Sequence, residues 1–400
     1  MDVDVAVVGA SSAGLFAAER LARAGRRVAV FERQATLRHP RRTYIITPQI
    51  RRLLGELPPS AVLHQTPVLE LCTPGATARV VLREPDLIVE RHALTTSLAM
   101  RAERAGAGMF YAHRLTALMP GTLGAELTLA RRGDTALTVR AAAVIGADGA
   151  FSDVAQTVGL PRPPLVQIVQ AEVELPAGYD PQVTRVWFDT AATRYFFWLI
   201  PESPERGVLG VIADDGAPTR DLLDGFLRRE GLRPLAYQAA TVAMHHPALR
   251  PWATLGRTPV FLVGDAAGQV KVTTVGGTVT GFYGAEAAAR CIIEGVHPRR
   301  ALAHVTRELD LHWWLRRLLE RLDTPGYSRL IGQLSPALLG FLARHNRDEL
   351  AGAIWQLPLL RPQLLGFGLG ALLQPAARLP QLRPEPAEKR AVAPGRSAAN

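Results

Sequence analysis

The first apolar run, residues 3–8, is short, unbroken and rich in valine, as expected of a parallel strand buried on both faces. A turn of small residues follows at 10–14. Residues 15–24 then show helical spacing of apolar positions, and Gly25 closes the helix. A second apolar run at 28–31 completes a βαβ pattern. The same alternation returns downstream. Residues 94–105 carry a helical pattern that stops at Gly106. Runs at 141–147 and 259–263 read as buried strands ending in Asp148-Gly149 and Gly264-Asp265, and 281–294 reads as a helix. The segments between differ in character. Residues 62–71, 78–90, 166–175, 184–190, 194–200 and 207–213 are β-like, and many of them alternate, which predicts a mostly antiparallel sheet.

The pattern therefore predicts an α/β fold: a Rossmann-type nucleotide domain with an inserted antiparallel β-sheet and a helical C-terminal region. The expected boundaries are 1–60, 92–160 and 255–298 for the nucleotide domain, and 61–91 and 161–254 for the inserted substrate sheet. Helices are expected over 299–374, and a disordered tail rich in Pro, Ala and Arg over 375–400. Residues 350–373 read either as a packed helical cap or as a contact with a membrane surface.

Composition adds little that is specific. At 400 residues and 48% hydrophobic, the chain can bury a large core in more than one domain. The formal charge is +10, yet only Lys271 and Lys389 are lysines. This arginine bias reads as a solvated basic surface, or as attraction to an acidic headgroup, a phosphate or an acidic redox partner. No cluster resembles a nucleic-acid module. Cys72 and Cys291 make neither a CxxC pair nor a metal-ligand set. With an acidic Met1–Asp4 start and no uninterrupted apolar 20-mer, a cytoplasmic protein is expected, with peripheral membrane contact left open.

Three motifs carry chemistry. Gly9-Ala10-Ser11-Ser12-Ala13-Gly14 lets backbone approach a pyrophosphate closely at a helix start, and Glu32, ending the second strand, suits the two hydroxyls of an adenosine ribose. Asp148-Gly149 follows a buried strand. Asp265, after 260–264, can accept a bond from a ribityl hydroxyl. Gly276 and Gly277 leave room for a flat ring, with N–H groups able to face its N1–C2=O edge.

In this order the motifs resemble the FAD flavoproteins of the p-hydroxybenzoate hydroxylase fold, and more closely the geranylgeranyl reductase family. Residues 264–277 are similar to that family's GDAAGxVxPxTxGG segment. Phe196-Phe197-Trp198-Leu199-Ile200-Pro201 is similar to its YxWxFP signature, and Arg91 matches an arginine that meets flavin. The resemblance implies FAD as cofactor. Its site would include Gly9, Ser11, Ser12, Ala13, Gly14, Glu32, Arg33, Arg91, Leu115, Asp148, Asp265, Gly268, Thr274, Gly276 and Gly277. The departures are Ser11 for a glycine, Val272 for a proline, Val275 for a glycine, a second glycine lost after Gly210, and no cysteine over 41–47.

The resemblance further implies hydride transfer from reduced FAD to a carbon–carbon double bond of a prenyl lipid. Phe196, Trp198 and Pro201 would wall an apolar tunnel, or simply pack the sheet core. Tyr44, Tyr195 and water stand as candidate proton donors. A flavin monooxygenase of an apolar or aromatic substrate is the main rival. Gly268 and Val272 stand where hydroxylases of this fold typically carry His and Pro. Halogenases need an active-site lysine, and none precedes Lys271. A cyclase-like use of flavin and a non-catalytic flavin protein complete the alternatives. No second glycine-rich nucleotide loop is apparent. Electrons are thus expected from an external donor: NAD(P)H docking transiently, ferredoxin or a quinol.

Overall fold

A computed structural model describes residues 1–37, 42–131 and 135–357. Two large sheets dominate it. The first is ordered Trp252–Leu255, Thr258–Leu262, Leu137–Gly146, Asp2–Val8, Val28–Phe31, Gly108–Phe110. Along this path neighbours pair in parallel except at the antiparallel edge strand Trp252–Leu255, and Leu137–Gly146 also pairs antiparallel with Ala125–Ala130. Val5 and Val7 face one core, while Ala6 and Val8 face another. That two-sided burial is why the strand shows no polar alternation. Helices Ser12–Arg23, Arg91–Arg104 and Thr278–Glu294 cover one face. A hairpin, Arg114–Pro120 with Ala125–Ala130, covers the other and was not evident in the sequence pattern.

The second sheet is ordered Pro234–Ala243, Leu165–Glu174, Arg206–Asp214, Phe197–Pro201, Val183–Trp187, Val62–Thr73, Ala76–Glu90, Thr43–Ile46. It is antiparallel except where Val183–Trp187 runs parallel to Val62–Thr73. Its strands alternate in earnest. Phe197 and Leu199 pack with Leu223 and Phe226 of helix Thr219–Arg229, while Phe196, Trp198 and Ile200 project from the opposite face.

Two expected boundaries need correction. Thr43–Ile46 falls in the segment assigned to the nucleotide domain, yet it pairs with Ala76–Glu90 in the second sheet. Trp252–Leu255 begins inside the segment assigned to the inserted sheet, yet it edges the first. In both cases the long-range partner, rather than the local pattern, decides the sheet. The C-terminal region is helical over Ala303–Leu319, Thr324–Gly332 and Pro336–Arg344, and the last two pack on the Val62–Thr73 and Ala76–Glu90 hairpin. Among the described residues no helix is long and apolar enough to cross a membrane. The expected tail, and most of 350–373, lie outside the described residues.

Candidate functional site

The two sheets and the C-terminal helices enclose a cavity of about 1080 Å³, somewhat above the range of roughly 300–1,000 Å³ usual for a single small-molecule site. Its nucleotide end is built by the first βαβ unit. Ser11 caps helix Ser12–Arg23, accepting from the Gly14 N–H at 3.2 Å. Gly9 has φ +98°, and a Cβ there would overlap the Ala147 carbonyl; one on Gly14 would sit 2.6 Å from the Ala147 Cβ. The turn at Ala147 is thus pressed directly against the helix start, which only glycines permit. Ser11, Ser12 and Ala13 line the cavity.

Glu32 is buried at the end of Val28–Phe31, where its carboxylate accepts from the Ala10 and Gln34 N–H groups, both at 2.9 Å. These two bonds use one lone pair on each oxygen and hold the group still, leaving capacity for ligand hydroxyls. Arg33 and Arg91 line the cavity. Arg91 opens its helix behind the Glu90 cap, and its N–H donates to the Arg42 carbonyl at 2.9 Å. Asp148 also lines it and accepts from Ser152 Oγ at 2.6 Å and Val154 N at 3.1 Å. Burial raises its carboxyl against those bonds.

The third motif forms the wall beside this end. Asp265 is the second residue of a short 3₁₀ turn, Gly264–Ala267. Burial raises its carboxyl, while the nearby Arg42 and Arg91 guanidiniums pull the other way. Gly268 ends the turn at φ +62° and lies behind the wall, packed against Leu249 and Met244 rather than lining the cavity. Thr274, Gly276 and Gly277 do line it. Thr274 Oγ1 is buried with no hydrogen-bond partner among the described residues. Such an orphan is expected to meet a ligand. Val275, at φ +52°, occupies the left-handed region that favours glycine. A glycine cradle, an anchored Glu32 and an orphaned hydroxyl in the loop suit a flavin dinucleotide. Leu115 stands apart: its side chain belongs to the core beneath the Arg114–Pro120 hairpin.

The far end of the cavity is the inner face of the second sheet. Phe196, Trp198, Ile200, Ile168, Val186 and Ile212 line it, and Tyr44 joins them from Thr43–Ile46. Gly210 lies opposite Trp198, and any Cβ there would overlap the indole; the indole lies flat on the strand because that position is glycine. Tyr195 and Pro201 are not among the lining residues. Tyr195 precedes the strand and turns into a small separate pocket, with the Arg194 and Arg316 guanidiniums 5.4 and 4.2 Å from its ring centre.

Sequence reasoning missed a polar cluster on the same wall. Lys271, in the loop before Gly276, lines the cavity and is ion-paired with Asp348, which also accepts from Thr47 Oγ1 at 2.6 Å. Beside it Arg347 pairs with Asp86 at 2.9 Å. Burial would raise the Asp348 carboxyl, but Lys271 and Thr47 hold it below the usual carboxylate range. The segment bearing these residues is further tied down. Glu308 accepts from the Leu350 and Ala351 N–H groups, both at 2.8 Å. The His312 ring bridges Thr273 Oγ1 and the Arg347 carbonyl. A usable signal was Asp86, an acid on the inward register of the strand just before the apolar run 87–89; for Asp348 the sequence offers none.

Comparison with known proteins bears on the whole arrangement. The family described as FAD binding domain matches residues 2–221. A digeranylgeranylglycerophospholipid reductase of Methanothermobacter thermautotrophicus is 29% identical over 334 residues, covering 78% of this chain and 83% of its own. A geranylgeranyl bacteriochlorophyll reductase-like structure from Thermoplasma acidophilum superimposes with a TM-score of 0.76 at 18% identity, covering 92% of this chain and 99% of that one. A flavin-dependent brominase shares the fold at a TM-score of 0.66 and 15% identity, covering 91% of this chain and 100% of that one.

Proposed function

The chain belongs to the FAD binding domain family and is an FAD-dependent oxidoreductase, and from that premise we propose that it reduces carbon–carbon double bonds of a prenyl lipid. One observation carries the reading: the cavity runs from the dinucleotide loop onto an apolar sheet face lined by Phe196, Trp198, Ile168, Val186 and Ile212. A relative that shares 29% of its residues is a reductase of a geranylgeranyl lipid by name. Reduced FAD would supply a hydride at N5 when bound.

The chain's own residues do the rest. Ser11–Ala13 and the helix start would hold the pyrophosphate, and Glu32 the adenosine ribose. Asp265 and Thr274 would bind the ribityl and ring edge. The inner sheet face aligns an extended isoprenoid by exclusion of water, and Trp198, laid flat over Gly210, sets the tunnel's width. Tyr44, on the cavity wall with the Arg42 guanidinium 5.5 Å from its ring centre, is the proposed proton donor, since Tyr195 faces another pocket. Electrons arrive from an external donor: NAD(P)H, ferredoxin or a quinol.

The test incubates dithionite-reduced holoenzyme with a geranylgeranyl lipid and reads the product by mass spectrometry. Added hydrogens are expected. Incorporation of oxygen under air with an unchanged double-bond count would instead assign a monooxygenase.

A further inference from the structure

We propose that Lys271, clamped by Asp348, is the cation that sets the reduction potential of the bound flavin. The inference rests on FAD binding alone and not on the prenyl substrate.

Lys271 is 4% exposed and Asp348 1%. Burying such a pair is costly, and well-packed apolar residues would often stabilise the fold as well or better. Its position supplies a reason for it. The Lys271 N–H donates to the Gly276 carbonyl at 3.2 Å, and the Val275 N–H to the Lys271 carbonyl at 2.8 Å. These bonds close a tight loop. Lys271 Nζ lies 3.7 Å from the point where a Cβ on Gly276 would stand. The ammonium and the open space over Gly276 therefore share one stretch of cavity wall.

That glycine pair is where the N1–C2=O edge of a flavin is expected to rest. The edge gains negative charge on reduction. A fixed cation a few ångströms away, itself buried, is weakly screened, so it stabilises the reduced state over the oxidised one. Asp348 opposes part of this field while holding the ammonium in place, and Thr47 fixes Asp348 in turn. The field is thus the net of a four-charge cluster, with the Arg347–Asp86 pair beside Lys271 and Asp348, and Lys271 is its member on the flavin loop.

Lys271 and Asp348 must then act with opposite sign. In FAD-loaded protein, Lys271→Met is expected to shift the oxidised-to-reduced ratio at a fixed potential at least tenfold toward oxidised. For a two-electron couple that is a midpoint lower by about 30 mV. Asp348→Asn is expected to raise the midpoint, and Lys271→Arg to restore most of the loss. Photoreduction against reference dyes reads all three, and no substrate is needed. A purely structural role would weaken FAD binding and melting in both charge-removing variants without opposed shifts. Unchanged midpoints, or shifts of the same sign, overturn the proposal. Should Lys271→Met not fold, the isosteric Asp348→Asn decides alone, read at the acid end of its stable range because burial pulls the Lys271 ammonium down once Asp348 no longer holds it up: no rise in its midpoint there overturns it. Failure of the lipid assay leaves this result standing, because the two experiments share no readout.

Discussion

At the scale of single residues, the site depends on atoms that have little room to move. Asp265 sits in a turn between a buried strand and the Gly268 left-handed cap, facing Arg42 and Arg91. Asp265→Ala removes a carboxylate that lies in the field of those guanidiniums, and with it a ligand acceptor. FAD affinity should fall tenfold or more, the loss of about 1–3 kcal/mol expected for such a group. Flavin absorbance of the purified variant measures this, and a full complement of flavin would contradict the assignment. Much of this residue-level chemistry was readable, because the glycine loop, Glu32 and the residues 264–277 have local causes. Period-two alternation also sets Phe196 and Trp198 on one face. The same alternation would set Tyr195 with Phe197 and Leu199, but the strand starts at Phe197 and Tyr195 joins the Phe196 cluster instead, beside Arg194 and Arg316, which are more than a hundred positions apart. Lys271 was legible as a loop residue only; its partner lies 77 residues on.

At the scale of elements, the C-terminal segment after Pro336–Arg344 is held by carboxylates. Glu308 accepts two backbone N–H groups from it. Burial raises the Glu308 carboxyl, but the His312 bond and the Leu350 and Ala351 amides outweigh that and hold it below its ordinary value. A carboxyl depressed on folding stabilises fully above its unfolded value and loses that contribution as pH falls through the folded one. Asp348 acts in the same sense. The Leu350 and Ala351 amides should therefore lose hydrogen-exchange protection below about pH 4, ahead of the sheet strands. Glu308→Ala should remove that protection at neutral pH and cost about 3 kcal/mol, two charge-assisted bonds at the usual worth. Retained protection in the variant would show that packing alone holds the segment. Helices Ser12–Arg23, Arg91–Arg104 and Thr278–Glu294 and the strands they cover were legible because each buries a continuous face, whereas helix Thr219–Arg229 and the short strand Gly108–Phe110 were not. Thr43–Ile46 was not, since its pairing partner Ala76–Glu90 is chosen in three dimensions.

At the scale of the whole molecule, the cavity is shared among three regions distant in sequence. Deleting 346–400 would strip Lys271 and Asp86 of their counter-charges at the cavity wall. A broken buried pair costs about 3–5 kcal/mol, so the truncated chain should melt far below the full one or fail to retain FAD. A truncated protein that melts with the parent would argue against the segment's role. The α/β class was legible in full from the alternating runs. The closure was not, because no periodicity links residue 348 to residue 47.

That closure has a consequence for biosynthesis. Thr47 and Asp348, joined by a hydrogen bond, are 301 residues apart. At about 5–20 residues per second, a ribosome needs roughly 15–60 s between them. Throughout that interval the nascent chain can already hold both strands of the βαβ unit, while Lys271, once made, faces solvent with its counter-ion not yet synthesised. The cavity stays a cleft until residue 348 has been made, and a large dinucleotide can reach its seat before the last polar latch is in place.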